Sequence, residues 1–258
     1  MADKSFFIDT TRCTACRGCQ VACKQWNQLP AVPTHNWGSF QNPPDLTPNN
    51  YKLVRFSEVV TDGKLKWLFF PDQCRHCLEP PCKDAAEGYV EGAVVRDEAT
   101  GAVIFTEKSK QLTDAAFKEV REACPYDIPR RNEATKIMSK CTMCIERVQN
   151  GLVPACVKAC CTGTLNFGDR TAMLELAQKR LAEVKGKGHP KAQLLDADTV
   201  RTIFLVTEEP KQYHPHAVAR VEPGISRKLA LRKMFRPAIG LLGGAALLGC
   251  LTDSTAKE

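Results

Sequence analysis

The chain has 258 residues, 43% of them apolar and 25% charged, and a formal net charge of +7. That length holds one or two domains with a real core, and the balance of apolar and charged residues is that of an ordinary soluble protein. The positive charge does not point to nucleic acid: the basic residues are scattered, no aromatic-studded basic stripe occurs, and the sum counts all fourteen cysteines as neutral.

Met1 to Asp9 is a polar start followed by a short strand, Phe6-Phe7-Ile8. It has neither a basic region nor a long apolar stretch, and predicts no cleavable signal peptide of its own. The first cysteine run follows: Cys13, Cys16, Cys19 and Cys23. Residues 29–50, rich in Pro, Asn and Thr, read as an extended loop. Strands are expected over 51–60 and 64–70, joined at Asp62-Gly63, a good hairpin turn. The second run is Cys74, Cys77 and Cys82. A second hairpin is expected from 93–96 and 102–105, then a helix over 108–122, after which Cys124 stands alone before Pro125. The last run is Cys141, Cys144, Cys156 and Cys160. Beyond it Asp169 is placed to cap a helix over 170–184, with Met173, Leu174, Ala177, Leu181 and Val184 on one face and Gly186 ending it. Thr202 to Val206 reads as a strand, and the chain to about residue 222 as a polar loop wrapping over the domain or a partner. Arg227, Lys228, Arg232, Lys233 and Arg236 precede an uncharged run, 237–251, that falls short of the ~20 residues of a spanning helix. It reads as an apolar helix, either membrane-associated or buried against a partner.

Twelve of the fourteen cysteines form C-x2-C-x2-C-x3-C, C-x2-C-x4-C, one Cys-Pro and C-x2-C-x11-C-x3-C. A disulfide scaffold is usually short and need not repeat a C-x2-C theme, while zinc wants closed tetrahedral sets of Cys or Cys/His. Both stand as alternatives. His76, between Cys74 and Cys77, is the tempting zinc ligand and is read here as a loop residue near a cluster edge. A [4Fe–4S] cube needs four converging thiolates. A tight loop supplies three, and in two-cluster ferredoxins the halves exchange the fourth. By that rule Cys13, Cys16 and Cys19 take Cys160 (cluster one), Cys141, Cys144 and Cys156 take Cys23 (cluster two), and Cys74, Cys77 and Cys82 take Cys124 (cluster three). A full second pair would also need cysteines at 86, 114, 117 and 120, where Ala86, Asp114, Phe117 and Val120 stand. Those absent thiols would belong to one cube, so three [4Fe–4S] clusters are expected. At about −2 per oxidised cube with its thiolates, they bring the assembled protein close to neutral. Cys161, directly after a ligand, reads as a small buried residue or a competitor for iron, and Cys250 as packing in the tail.

The expected fold is α+β, loop-rich, built from tandem ferredoxin-like subdomains of the bacterial 4Fe–4S dicluster type with β-hairpin insertions. Residues 1–168 form the cluster domain, with 13–23 paired to 141–160 and a middle subdomain over about 51–130. Residues 169–222 add a helix, a strand and the wrapping loop, and 223–258 the basic segment and apolar tail.

The wording between the cysteines carries a resemblance. The segments Cys13-Thr-Ala-Cys-Arg-Gly-Cys19, Gln73-Cys-Arg-His-Cys-Leu-Glu-Pro-Pro-Cys82, Cys124-Pro-Tyr-Asp-Ile-Pro-Arg130, Lys140-Cys-Thr-Met-Cys-Ile-Glu-Arg147 and Pro154-Ala-Cys-Val-Lys-Ala-Cys160 resemble the iron–sulfur (beta) subunits of molybdenum or tungsten formate dehydrogenases. The likeness spans about residues 5 to 220 and is greatest to the three-cluster version of two-subunit enzymes in sulfate-reducing bacteria. Two departures are Cys161, where the family usually has Pro, and the apolar tail after Ser226, which is similar to the C-terminal membrane helix of larger relatives. The resemblance implies a chain with no active site of its own. It implies a catalytic (alpha) partner with a bis-pyranopterin metal centre that oxidises formate to CO2, and electron relay to a cytochrome c or to a membrane cytochrome or quinone-linked subunit. Contact of 237–251 with a membrane belongs to the same expectation. The same role in a polysulfide, sulfoxide or nitrate reductase is the alternative. It further implies a periplasmic location, reached by co-export with a partner bearing a twin-arginine signal. The basic block before the tail favours the cytoplasm instead.

Overall fold

The computed structural model describes residues 3–61 and 63–220. The first strand, β1 (Lys4–Asp9), alternates its apolar residues between two faces, as period-two geometry requires. The amphipathic helix α1 (Gly18–Trp26) carries Cys19 and Cys23. A long antiparallel hairpin follows, β2 (Leu53–Thr61) and β3 (Lys64–Asp72), in the expected register around the turn. Gly63, at φ +72°, supplies the left-handed backbone that a two-residue turn demands. Next come α2 (Pro81–Glu87) and the short hairpin β4 (Val94–Arg96) and β5 (Val103–Phe105).

The helix expected over 108–122 is two elements: a 3-10 turn, Glu107–Gln111, and α3 (Asp114–Glu122). Thr113 breaks the run, because its extended backbone and its side chain, which accepts from the Ala116 N–H, make it an N-cap. The pair β6 (Arg130–Arg131) and β7 (Met138–Ser139), the short helices α4 (Ile145–Gln149) and α5 (Ala155–Lys158), and the strand β8 (Leu165–Asp169) complete the cluster-bearing region. The helix α6 (Arg170–Gly186) begins where expected, with Asp169 at its N-cap position; the Asp169 side chain makes no capping hydrogen bond, and its carboxylate accepts from Lys4 at 2.6 Å. The remaining elements are β9 (Gln193–Leu195), β10 (Thr202–Val206) and α7 (Pro210–Tyr213), a short helix inside the segment read as loop.

The main sheet has the order β8-β1-β10-β9, with β1 parallel to β10 and antiparallel to β8. Its two faces do different work. Phe7, Ile203 and Leu205 pack with Ala177 and Val184 of α6. Phe6, Ile8, Phe204 and Val206 point the other way and pack with Cys19, Met143 and Cys156. The sheet is thus the floor on which the first and last cysteine runs rest. A separate apolar cluster joins α2, β4, β5 and α3. The apolar run 237–251 and its basic flank lie outside the described residues; among the described residues no helix is long and apolar enough to cross a membrane.

Candidate metal centres

One local device recurs at the first C-x2-C of each run. The residue before the second cysteine is left-handed in all three: Ala15 at φ 53°, His76 at φ 45° and Met143 at φ 62°. A non-glycine residue is uncommon there. The twist turns its N–H back onto the first thiol, as in His76 N–H to Cys74 Sγ at 3.3 Å and Met143 N–H to Cys141 Sγ at 3.4 Å. Such N–H groups favour thiolate and tune a bound cluster.

The helices then assemble the sets. Gly18 at the start of α1 lies so close to α5 that a Cβ there would stand 3.4 Å from the Ala159 carbonyl and 3.7 Å from Cys16 Sγ. This close approach brings the first run against the last. Burial pushes the Cys13 thiol up to about 11, with the charges of Cys19 and Cys160 adding to it, and Cys19 feels Cys160 and Cys16. Cys23, further along α1, is raised by burial and by Cys141, Cys156 and Cys144. The third set is the clearest: Cys74, Cys77, Cys82 and Cys124 line one cavity with about 330 Å³ of space between its walls. Pro80, Pro81, Pro125, Pro129, Val103 and Ile128 make the walls largely apolar. Cys160 thus lies near Cys13 and Cys19, Cys23 near Cys141, Cys144 and Cys156, and Cys124 on one cavity with Cys74, Cys77 and Cys82.

The sets also have neighbours. Cys19 acts on Cys156, and Cys74 acts on Cys141. Set two thus stands between sets one and three.

Burial pushes Cys124 up to about 11 and Cys82 and Cys156 up to about 12. In such surroundings a thiol gives up its proton only when a metal replaces it. Cys160 is the contrast. Burial opposes its ionisation, but hydrogen bonds from the Leu165 N–H at 3.4 Å and from Thr162 outweigh it and lower its pKa. All thirteen described cysteines are free thiols. Among the described residues no group of three or more His, Cys, Asp or Glu is set to hold a single metal ion. Zinc draws its four ligands onto one atom, whereas a cube holds its thiolates apart at four corners, and the four thiols of set three lie around one shared cavity.

Two lysines join these sites that the spacing of cysteines could not reveal. Lys52 is 2% exposed, and its charge acts on Cys13, Cys19, Cys23, Cys144 and Cys156. Lys140 lines the set-three cavity, donates to the Val103 and Cys141 carbonyls, and acts on Cys77 and Cys82.

His76 is fully buried, accepts from the Val103 N–H at 3.1 Å through Nδ1, and is not part of the cavity wall. Cys161 is exposed rather than buried, and its thiol hydrogen-bonds with that of Cys16, which raises its pKa.

The four positions of the absent thiols are also resolved. Ala86 and Val120 are fully buried in one apolar cluster with Cys82 and Ala116, and Phe117 packs against it. Asp114 turns outward and pairs with Arg131 at 2.8 Å.

The family model described as "4Fe-4S dicluster domain" matches residues 65–170. The chain is 56% identical over 216 residues to formate dehydrogenase subunit beta of Megalodesulfovibrio gigas, covering 84% of this chain and 99% of that one. It is 55% identical over 215 residues to formate dehydrogenase 2 subunit beta (cytochrome c-553) of Nitratidesulfovibrio vulgaris, covering 83% and 98%. Identity to the formate dehydrogenase-O iron-sulfur subunit of Escherichia coli is 39% over 212 residues, covering 80% and 68%.

Proposed function

From the premise that the chain belongs to the iron–sulfur (beta) subunits of formate dehydrogenases, and so is an electron-transfer subunit that binds [4Fe–4S] clusters, we propose that it carries three of them in series. Cys13, Cys16, Cys19 and Cys160 hold cluster one; Cys23, Cys141, Cys144 and Cys156 hold cluster two; Cys74, Cys77, Cys82 and Cys124 hold cluster three. Convergence of the four thiols of set three on one apolar cavity is the observation that carries this reading. Each cube, when bound, takes up and releases single electrons. The chain's own residues hold the cubes at fixed stations, donate N–H groups to their thiolates and exclude water from them. Cluster two, coupled to both neighbours, is the middle station.

The chain holds its clusters for a partner that carries the formate chemistry on a pterin-bound molybdenum or tungsten. The relative named for cytochrome c-553 supports a cytochrome c as acceptor, and with it a periplasmic complex co-exported with the catalytic partner. Membrane contact through 237–251 is a further part of this reading, tested by deleting the residues after Arg236 and following fractionation of the complex. The domain division into 1–168, 169–222 and 223–258 belongs to it as well.

Anaerobic copurification with the large subunit, followed by EPR before and after formate, tests the function. Cluster signals that rise on formate addition support it. Clusters reduced by dithionite but silent to formate would move the chain to another molybdopterin oxidoreductase.

A further inference from the structure

Lys52 stands immediately before β2, and its ammonium is enclosed. It donates to the Pro71 carbonyl at 3.2 Å and to Gln73 Oε1 at 2.5 Å, both uncharged. A buried ammonium with neutral partners alone is neutralised or expelled unless some anion compensates it. The surroundings supply that anion from two sides. Leu53, the next residue, packs with Cys74 and Cys141, and Val54 packs with Cys19 and Cys156. The Val54 N–H also donates to Gln20 Oε1 at 3.1 Å, tying this point of the chain to α1, which carries Cys19 and Cys23. Burial works against the ammonium, and the charges of Cys19, Cys156, Cys141 and Cys23 more than offset it.

We propose that Lys52 is a fixed cation shared by clusters one and two, positioned to raise the reduction potential of both. Reduction adds one negative charge to a cube, and a cation beside it in a poorly polarisable interior favours the reduced form. Because one charge serves two clusters, it moves both potentials in the same direction and alters the step between them less than either potential. Cluster three lies by other cations, Lys140 and Arg75.

The inference rests on the three-cluster reading above. Its test is an EPR-monitored redox titration of the whole purified complex carrying wild-type chain, Lys52→Met, Lys52→Gln or Lys52→Arg, with iron counted in each. In Lys52→Met and Lys52→Gln, clusters one and two should each become at least tenfold harder to reduce, about 59 mV for a one-electron couple. Cluster three should shift less, and Lys52→Arg should lie near wild type. Unchanged potentials for clusters one and two, or an equal fall in all three clusters, would overturn the proposal. Loss of iron from cluster one or two in both neutral variants would make Lys52 a structural residue and overturn it equally. A wild-type complex without separate signals for the three clusters would instead defeat the three-cluster reading, before Lys52 is changed.

Discussion

The two halves of the cluster domain each pack one helix on another and differ in what fills the space around them. In the half built from the first and last runs, α1 and α5 meet, and eight thiols form two sets. In the middle half, α2 and α3 stand in the corresponding places, but only four thiols converge, in one cavity. Where the second set would be, Ala86, Ala116 and Val120 close into an apolar cluster with Phe117 against it. The difference shows how a place between two helices is filled when it carries no thiols. Apolar side chains take the interior volume, and the one charged replacement, Asp114, is directed outward to Arg131. The remaining site is backed by that core, because α2 carries Cys82, which lines the cavity, and one turn on Ala86, and both lie in the same apolar cluster.

The largest expected effect tests whether the middle half is an independent site. Cys124→Ala should remove or convert cluster three alone, a loss of up to about four irons, with the signals of clusters one and two retained. Equal loss from all clusters in a folded protein would break the exchange assignment. Second is Gly101→Ala. Gly101 has φ +75°, and a Cβ there would stand 2.0 Å from Arg201 Nε. Arg201 donates to the Cys77 carbonyl at 3.1 Å and so braces the cluster-three loop. The substitution should cost about 2–4 kcal/mol, from strain plus the displaced arginine, and should lower the midpoint of thermal unfolding.

Val120→Ala sharpens the comparison from the other side. It should cost about 1–3 kcal/mol through the cavity it leaves while iron content and EPR stay as in the wild type. Altered EPR of cluster three would show that the packed core shapes that site after all. The smallest effect concerns pH. Burial, then the charges of Arg55, His216 and Arg75, push His214 down to about 4, against the opposing pull of Asp72. Between that value and its ordinary 6.5 the unfolded chain binds a proton that the folded chain does not. Stability should therefore be complete above about pH 6.5 and fall as the pH drops toward 4. His214→Gln should flatten the fall, as read by chemical unfolding at several pH values, and an unchanged slope would remove His214 as its source.

The thiol sets were legible in the sequence because metal ligation demands both residue type and spacing, and the exchange of fourth ligands leaves few solutions. The two hairpins, β1, β10 and α6 were legible from alternation and turn residues. Other features were hidden for physical reasons. β8 contains Asn166 and Gly168 and shows no alternation; it is a strand because β1 offers it a ladder. The break before α3 depends on Thr113 serving as a cap rather than continuing a helix, which local composition does not reveal. Lys52 and Lys140 carry no signal in the sequence, since only the assembled thiol sets make burial of an ammonium tolerable. Cys161 was read as buried from its place after Cys160, yet the turn there points it outward to Cys16.

The central claim is that three complete cubes and no fourth occupy this chain. Iron counted per chain in the anaerobically purified complex, corrected for the catalytic partner and joined to EPR quantification of the dithionite-reduced clusters, tests it most directly. The account predicts about twelve irons and three reduced-cluster spins. About sixteen irons would mean that the packed core between α2 and α3 is not what the middle half holds, and about eight would mean that one of the three thiol sets carries no cube.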